Sequence, residues 1–180
     1  MPLISYGSAG TSFDTLPAIK IQHYHNACEE EQVYAYLKLF SSSEGLHFSS
    51  VCFEKTPAET SRTGFLFNIE NISLLCSFSP SGSVTLYNVE DEILQELSTQ
   101  KASTFTGTDE QGSYWTVEYM LPFNCLPEQA KELFAGNGVL TGNFLKYWQD
   151  KPALGSYAAL PQSCTFPAAE LAVPFEIVSY

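Results

Sequence analysis

Hydrophobic and polar positions alternate with a period of two along most of this chain, which predicts β-strands that bury one face. The alternation runs through the segments 33–40, 46–53, 65–70, 73–78, 84–87, 114–121, 139–148 and 175–180, with 18–25 as a further candidate. Turn-forming residues separate several of these segments, as in 79–83, which joins two of them into a predicted hairpin. Many short strands separated by turns predict an all-β fold, an antiparallel sandwich of two sheets.

Helical signals are concentrated in the segment 127–136. Pro127 suits the first position of a helix, and Gly136 can end one. The segment 90–97 fits either a helix or an exposed strand, so that tertiary context must decide between them. We therefore expect one domain over 1–180, a β-sandwich with one or two short helices.

Composition supports a packed and strongly acidic domain. Hydrophobic residues make up 44% of the chain and the formal net charge is −12, with Arg62 as the sole arginine. Such a charge repels nucleic acid and anionic membranes, so we expect neither as a partner. The five cysteines are an odd number and widely spaced, which argues against a disulfide framework. The first residues show no signal peptide, so we expect a cytoplasmic protein, or a secreted one if the natural chain begins further upstream.

Candidate binding chemistry is concentrated after residue 140. Asn143 and Lys146 lie in sequence among three aromatic residues, which are Tyr147, Trp148 and Tyr157. Aromatic faces cover the apolar C–H face of a sugar while polar side chains bind its hydroxyls, so this mixture is typical of sugar sites. Tyr147 and Trp148 point to opposite faces of a strand, and both line one site only if the strand ends there. Core packing is the competing interpretation for Trp148.

Other candidates have equally plain structural explanations. Arg62 is predicted in a polar loop that leads into the strand at Phe65, where it can bind vicinal hydroxyls through its planar fork, or form a surface salt bridge. Trp115 is in phase with an apolar face, so we expect it in the core. His23 and His25 have a spacing that can chelate a metal, but two exposed histidines without a metal are the preferred interpretation. Haem held through Met120 is a minor alternative.

No complete catalytic motif is present. The chain has neither a phosphate-binding Gly-Lys-Ser/Thr loop nor a Gly-x-Ser-x-Gly elbow, and its many glutamates make chance carboxylate pairs inevitable. The acidic run 29–31 is expected to be a solvated turn. Calcium stays open as a ligand because it takes clustered oxygens, although no D-x-D-x-D-G loop occurs. We predict no catalytic residue, no metal site and no obligatory cofactor.

Several segments, taken in order, resemble the family 9-like carbohydrate-binding modules. The residues that carry the resemblance are 74–82, 114–122, 142–146, 156–161 and 165–177, which are similar to successive strand motifs of that family. The segment 142–146 reads Gly-Asn-Phe-Leu-Lys, where the family has Gly-Asn-Phe-Tyr-Lys. The resemblance implies a jelly-roll-like sandwich akin to the DOMON-like group, in which a sugar or haem lies against one sheet.

In that family two tryptophans clamp the sugar, and the modules accompany polysaccharide-degrading enzymes. Tyr157 stands here where the family has its second tryptophan, and the segment 60–67 lacks the family's two acids. The resemblance implies non-catalytic binding of a mono- or oligosaccharide, with Trp148 and Tyr157 stacking on it and Asn143, Lys146 and Arg62 donating hydrogen bonds. Two alternatives stay open, which are a glycoside hydrolase or its subunit, and a sandwich with an eroded sugar site that binds a protein partner.

Overall fold

The computed structural model describes residues 3–7, 11–91, 93–135, 138–161, 166 and 173–179. Most of them lie in fourteen strands: β1 (Leu3–Tyr6), β2 (Ile19–Lys20), β3 (His23–His25), β4 (Ala35–Ser41), β5 (Gly45–Cys52), β6 (Ser61–Ile69), β7 (Ile72–Phe78), β8 (Ser83–Glu90), β9 (Ile93–Lys101), β10 (Ser103–Asp109), β11 (Gly112–Pro122), β12 (Val139–Trp148), β13 (Leu154–Ser156) and β14 (Val173–Ser179). One α-helix, α1 (Gln129–Ala135), and three single 3₁₀ turns, Phe13–Thr15, Glu29–Glu31 and Phe123–Cys125, complete the described elements.

The strands form two layers with mainly antiparallel pairing. The hydrogen-bonded order is β10-β11-β5-β4-β1-β14-β12-β6-β7-β8-β9, and β1 joins the layers by pairing in parallel with both β4 and β14. The short strand β13 extends β12 and carries β3 on its other side. The predicted all-β sandwich is therefore confirmed, and β12 is an interior strand of one layer, between β14 and β6.

The main core lies between the two layers, where the inner faces of the strands meet. Phe48 of β5 contacts two rings of the opposite layer, with centroids 6.1 Å from Phe65 and 5.5 Å from Phe78. Trp115 is fully buried in this core, as its position on an apolar strand face predicted. The tight turn between β7 and β8 has Gly82 at φ 80°, a conformation that glycine adopts without steric cost.

A second apolar cluster covers the outer face of the layer that contains β12. Its buried members are Leu66, Leu75, Val89, Leu145, Tyr147, Leu154 and Leu160, with Tyr87, Leu94 and Phe166 packed against them. The strands β6, β7 and β12 are thus buried on both faces, because the segment after β12 folds back over the sheet. The sequence pattern had predicted a single buried face for each strand, and this part of the prediction was wrong.

Three further local predictions have clear outcomes. The ambiguous segment 90–97 is strand, because β9 pairs along β8 in an antiparallel ribbon. Arg62 lies inside β6 and not in a polar loop, since Ser61–Ile69 pairs with β12. The candidate strand 18–25 is divided into β2 and β3, which pair with different neighbours. Within the part of the chain that the structure describes, no helix is long and apolar enough to span a membrane.

Candidate functional site at the end of strand β12

Lys146 of β12 is fully buried and forms an ion pair inside the sandwich. Its Nζ donates to Ser61 Oγ at 2.9 Å and lies 3.4 Å from Glu54 Oε1. The other oxygen of Glu54, Oε2, accepts from Ser61 Oγ at 2.6 Å and from Trp115 Nε1 at 2.9 Å. We call Lys146, Glu54, Ser61 and Trp115, together with Trp148, the interior polar cluster. Both charged groups are thus paired and hydrogen-bonded, as buried charges require.

Trp148 packs directly against this lysine. The Nζ atom of Lys146 lies 3.5 Å from the centroid of the indole ring, and that of Lys151 lies 5.8 Å from it. Trp148 is only 6% exposed. Burial lowers the pKa of Lys146, while the charge of Glu54 opposes that shift. Little of the indole is therefore open to solvent, and the ammonium group of Lys146 lies against the ring.

Asn143 is also fully buried, on the opposite face of β12 from Lys146. Its Oδ1 atom accepts a hydrogen bond from the backbone N–H of Ala158 at 3.1 Å. This bond ties the segment after β13 to the strand. The side chain thus holds the chain that covers the second apolar cluster.

Tyr157 lies well away from Trp148 along the sheet. Its ring centroid is 6.0 Å from that of Phe175, and its backbone N–H donates to Phe144 O at 2.9 Å. Phe144 precedes Trp148 by four residues, so the backbone beside Tyr157 and the backbone of Trp148 are about 13 Å apart along β12.

Arg62 is turned towards its own segment. Its guanidinium donates to Ser61 O at 2.7 Å and to Glu59 O. The structure therefore brings Lys146 and Trp148 together, and it places Asn143, Tyr157 and Arg62 in three other environments. The roles predicted for these five side chains in sugar binding stay predictions.

A cleft of about 470 Å³ opens where β12 ends. We call it the β12 cleft; its lining is His25, Asn26, Leu94, Tyr147, Trp148, Gln149, Lys151, Pro152, Ala153, Leu154 and Phe166. Tyr147 and Trp148 point to opposite faces of the strand but both reach the cleft, because β12 ends at Trp148. This is the condition under which the sequence allowed both to line one site.

The walls of the β12 cleft are fixed by specific contacts. The Tyr147 hydroxyl lies 2.6 Å from Ser77 Oγ, and its ring centroid lies 4.5 Å from that of Phe166. On the other wall Lys151 Nζ is paired with Glu31 Oε1 at 3.0 Å. The cleft thus combines two largely buried aromatic walls with a rim of polar side chains.

Sequence reasoning missed Glu54 and several residues that line the cleft, notably Asn26 and Phe166. The sequence did contain a signal that Lys146 has an acidic partner. Lys146 shares one strand face with Phe144 and Trp148, so it is expected to be buried, and a buried lysine needs a buried acid. The identity of that acid depends on contacts between the layers. Among the described residues no three histidine, cysteine or acidic side chains form a group that could hold a metal ion.

No protein-family model matches the sequence, and no curated protein matches it at a significant level. Among solved structures, the chain is similar to a protein from Bacteroides uniformis assigned to carbohydrate binding, with a TM-score of 0.70 and 8% identity over 98% of each chain. It is also similar to a family 9 carbohydrate-binding module from Caldicellulosiruptor kristjanssonii. The complex with glucose gives a TM-score of 0.55 and 13% identity over 99% of this chain and 95% of the module. The complex with cellotriose gives 0.53 and 12% over 99% and 94%. The chain therefore has the fold of family 9 carbohydrate-binding modules, as its ordered motifs predicted.

Proposed function

We propose that this chain is a non-catalytic carbohydrate-binding module whose β12 cleft binds a monosaccharide or the end of a short oligosaccharide. The observation that carries the proposal is the β12 cleft itself, where Tyr147 and Trp148 meet a polar rim in a sugar-module fold. The solved modules with this fold hold glucose and cellotriose. A volume of about 470 Å³ is within the range of small-molecule sites.

The geometry assigns different tasks to the walls and the rim. Tyr147 and Trp148 are 3% and 6% exposed, so they meet a ligand through ring edges at the base of the cleft. Asn26, Gln149 and Lys151 at the rim supply amide and ammonium groups for sugar hydroxyls. We expect modest affinity from contact through ring edges and exposed polar groups. Binding must order the mobile side chains of the rim, and this entropy cost offsets much of the favourable interaction free energy.

Titration with glucose, cellobiose and cellotriose tests the proposal, with calcium and with chelator in separate arms. We expect saturable binding that falls when Gln149→Ala removes a rim amide. The matched control is Gln111→Ala, an exposed glutamine in the turn between β10 and β11, which leaves affinity unchanged. A response that is flat for every sugar, or equal losses in the two variants, contradicts the proposal. Release of new reducing ends from cellobiose or cellotriose supports a hydrolase instead.

A protein-binding role is the second candidate, and one feature favours it. The polar side chains predicted to bind sugar are engaged internally, as Lys146 is with Glu54 and Asn143 is with Ala158. Exposed apolar side chains lie on the two edge strands: Ile93 is 66% exposed, Leu97 51% and Phe105 61%. A stoichiometric protein partner that is lost on Phe105→Ser, together with a flat sugar titration, supports this role.

A further inference from the structure

Strands β9 and β10 are the two ends of the hydrogen-bonded order, so each has one edge that no strand among the described residues pairs with. A free strand edge pairs readily with another chain unless charges, a bulge or a covering segment protects it. The edge of β9 is protected in two ways. Its pairing with β8 contains a register shift, and the charged side chains of Glu96 and Lys101 are exposed on it.

The free edge of β10 lacks both protections. The strand pairs with β11 in an unbroken register from Ser103 to Asp109. Six of its seven residues are exposed, and the strand contains no proline and no charged residue before Asp109. Phe105 is 61% exposed on it. In a chain with a net charge of −12, β10 is thus a flat and almost uncharged edge.

The sequence of β10 is complementary to itself in an antiparallel pair that is centred on Thr106. The facing residues of the two copies are then Ser103 and Asp109, Thr104 and Thr108, Phe105 and Gly107, and Thr106 with itself. Hydroxyl groups face a carboxylate or other hydroxyls, and a ring faces a glycine. No like charges face each other, so every cross-strand pair is compatible with pairing.

Gly107 leaves room for an aromatic ring on its face of the sheet. The Tyr114 side chain already covers this glycine, since a Cβ atom at Gly107 would lie 2.6 Å from Tyr114 Oη. In the two-fold pair, Phe105 of each copy therefore lies beside Gly107 and Tyr114 of the other copy. An exposed ring gains a glycine and an aromatic neighbour, which is a favourable cross-strand arrangement.

We propose that two copies of this chain form a dimer by antiparallel pairing of their β10 strands. The pairing continues the layer of β4, β5, β11 and β10 from one copy into the other through backbone hydrogen bonds. It uses the free edge of β10 in both copies, and β9 is protected, so the assembly closes at two. The proposal does not depend on sugar binding.

Sedimentation velocity over a series of protein concentrations tests this inference. We expect a reversible monomer–dimer equilibrium that shifts towards dimer as salt is added, because the acidic copies repel each other at low salt. Phe105→Lys is expected to weaken dimerisation about tenfold or more, since the lost contact and the added like charges occur twice in the dimer.

Ile93→Lys is the matched control, because it makes the same change in net charge on the other edge strand, at a side chain that is 66% exposed. It should not weaken the dimer. Circular dichroism checks that both variants are folded. A monomer at every concentration and salt level overturns the proposal, and so does a dimer that Ile93→Lys weakens as much as Phe105→Lys does.

Disulfide cross-linking tests the register. Directly opposite residues have Cα atoms about 4.5–5.5 Å apart, which a disulfide spans, so Thr106→Cys should link two copies under mild oxidation beyond the level of the parent protein. Thr108→Cys is the control on the same exposed strand face. Its two copies lie four residues apart along the pair, about 14 Å, and should not link. Equal linking of the two variants, or preferential linking of Thr108→Cys, overturns the proposed pairing.

Discussion

The two faces of strand β12 are both buried, but one is packed around an ion pair and the other is packed with apolar side chains. The inner face ends in the interior polar cluster, where Lys146 is paired with Glu54 and covered by Trp148. The outer face carries Leu145 and Tyr147 into the second apolar cluster beneath the returning chain. Residues that adjoin in sequence therefore depend on different forces. The side chains best suited to sugar binding by type are largely committed to structure, and the cleft arises only where the strand ends.

This contrast also explains how a site can form beside such a packed strand. The aromatic rings of the β12 cleft are held by contacts behind them, Tyr147 by Ser77 and Phe166, and Trp148 by Lys146. Held rings lose little conformational freedom when a ligand binds. Under the proposed function, the exposed polar rim sets affinity and specificity.

Breaking the interior pair should have the largest effect on stability. Lys146→Met leaves the Glu54 carboxylate without its countercharge, so we expect a loss of about 3–5 kcal/mol in the free energy of unfolding. Denaturation in urea measures it. Adding Glu54→Gln removes the unpaired charge and keeps an acceptor for Trp115, so the double variant should be more stable than Lys146→Met alone. A single variant within about 0.5 kcal/mol of the parent protein refutes the structural role of the pair.

Truncation on the outer face should cost nearly as much. Leu145 is fully buried in the second apolar cluster, so Leu145→Ala should lower the free energy of unfolding by about 2–5 kcal/mol through lost contacts and a cavity. Ile93→Ala is the control, since Ile93 is 66% exposed on the edge strand β9. Equal losses for the two variants contradict burial of the outer face. The same urea titration measures both.

The pH dependence of stability separates the two faces further. Burial lowers the pKa of Lys146 in the folded protein below its ordinary value of 10.5. At a pH between the folded-state pKa and 10.5, the unfolded chain therefore binds a proton that the folded chain lacks. The lysine therefore adds to the free energy of unfolding as pH rises towards 10.5, by at most about 1.4 kcal/mol per pH unit. This contribution is lost as pH falls through that window.

The stability difference between the parent protein and Lys146→Met isolates this contribution, because other groups titrate in both proteins. We expect the difference to grow as the pH is raised towards 10.5 in urea titrations. A difference that is constant or shrinks over this range contradicts the assignment. Leu145→Ala should keep a constant difference over the same range, since it removes no titrating group.

Removing one hydroxyl from the outer face should have the smallest effect. Tyr147→Phe deletes the hydrogen bond with Ser77 Oγ but keeps the ring, so we expect a loss of about 1 kcal/mol. Tyr34→Phe is the matched control on a tyrosine that is 38% exposed. Thermal unfolding with van 't Hoff analysis is precise enough to compare the two. A larger loss of unfolding free energy in Tyr34→Phe than in Tyr147→Phe would show that the hydrogen bond of the buried hydroxyl does not stabilise the fold.

Much of the fold was predictable because alternation is a local property of the chain. The strands β4, β5, β11 and β12 lie within a residue or two of the predicted segments, and Trp115 is buried as expected. The sequence indicated burial of both strand faces less clearly than it indicated the strands themselves. The indication was the continuous apolar runs at 65–67 and 74–76, which are typical of strands buried on both faces. The strand at 93–101 was ambiguous because an exposed edge strand lacks alternation to identify it.

The candidate site was less predictable because it depends on contacts between distant segments. Glu54 and Lys146 are 92 residues apart, and no spacing rule joins them. The separation of Trp148 from Tyr157 also depends on the register of β13 on β12, which sequence alone does not fix. Residue types suited to binding sugar were thus recognisable, whereas their internal partners were not.

The central claim is that a sugar occupies the β12 cleft beside Trp148, and the two indole N–H signals test it most directly. We would titrate ¹⁵N-labelled protein with cellotriose and follow both signals by NMR, assigning them with Trp148→Phe. Trp115 Nε1 is held by Glu54 in the interior and serves as an internal control. The account predicts a saturable shift of the Trp148 signal with little change at Trp115. Two stationary signals at saturating cellotriose, or a shift confined to Trp115, would contradict it.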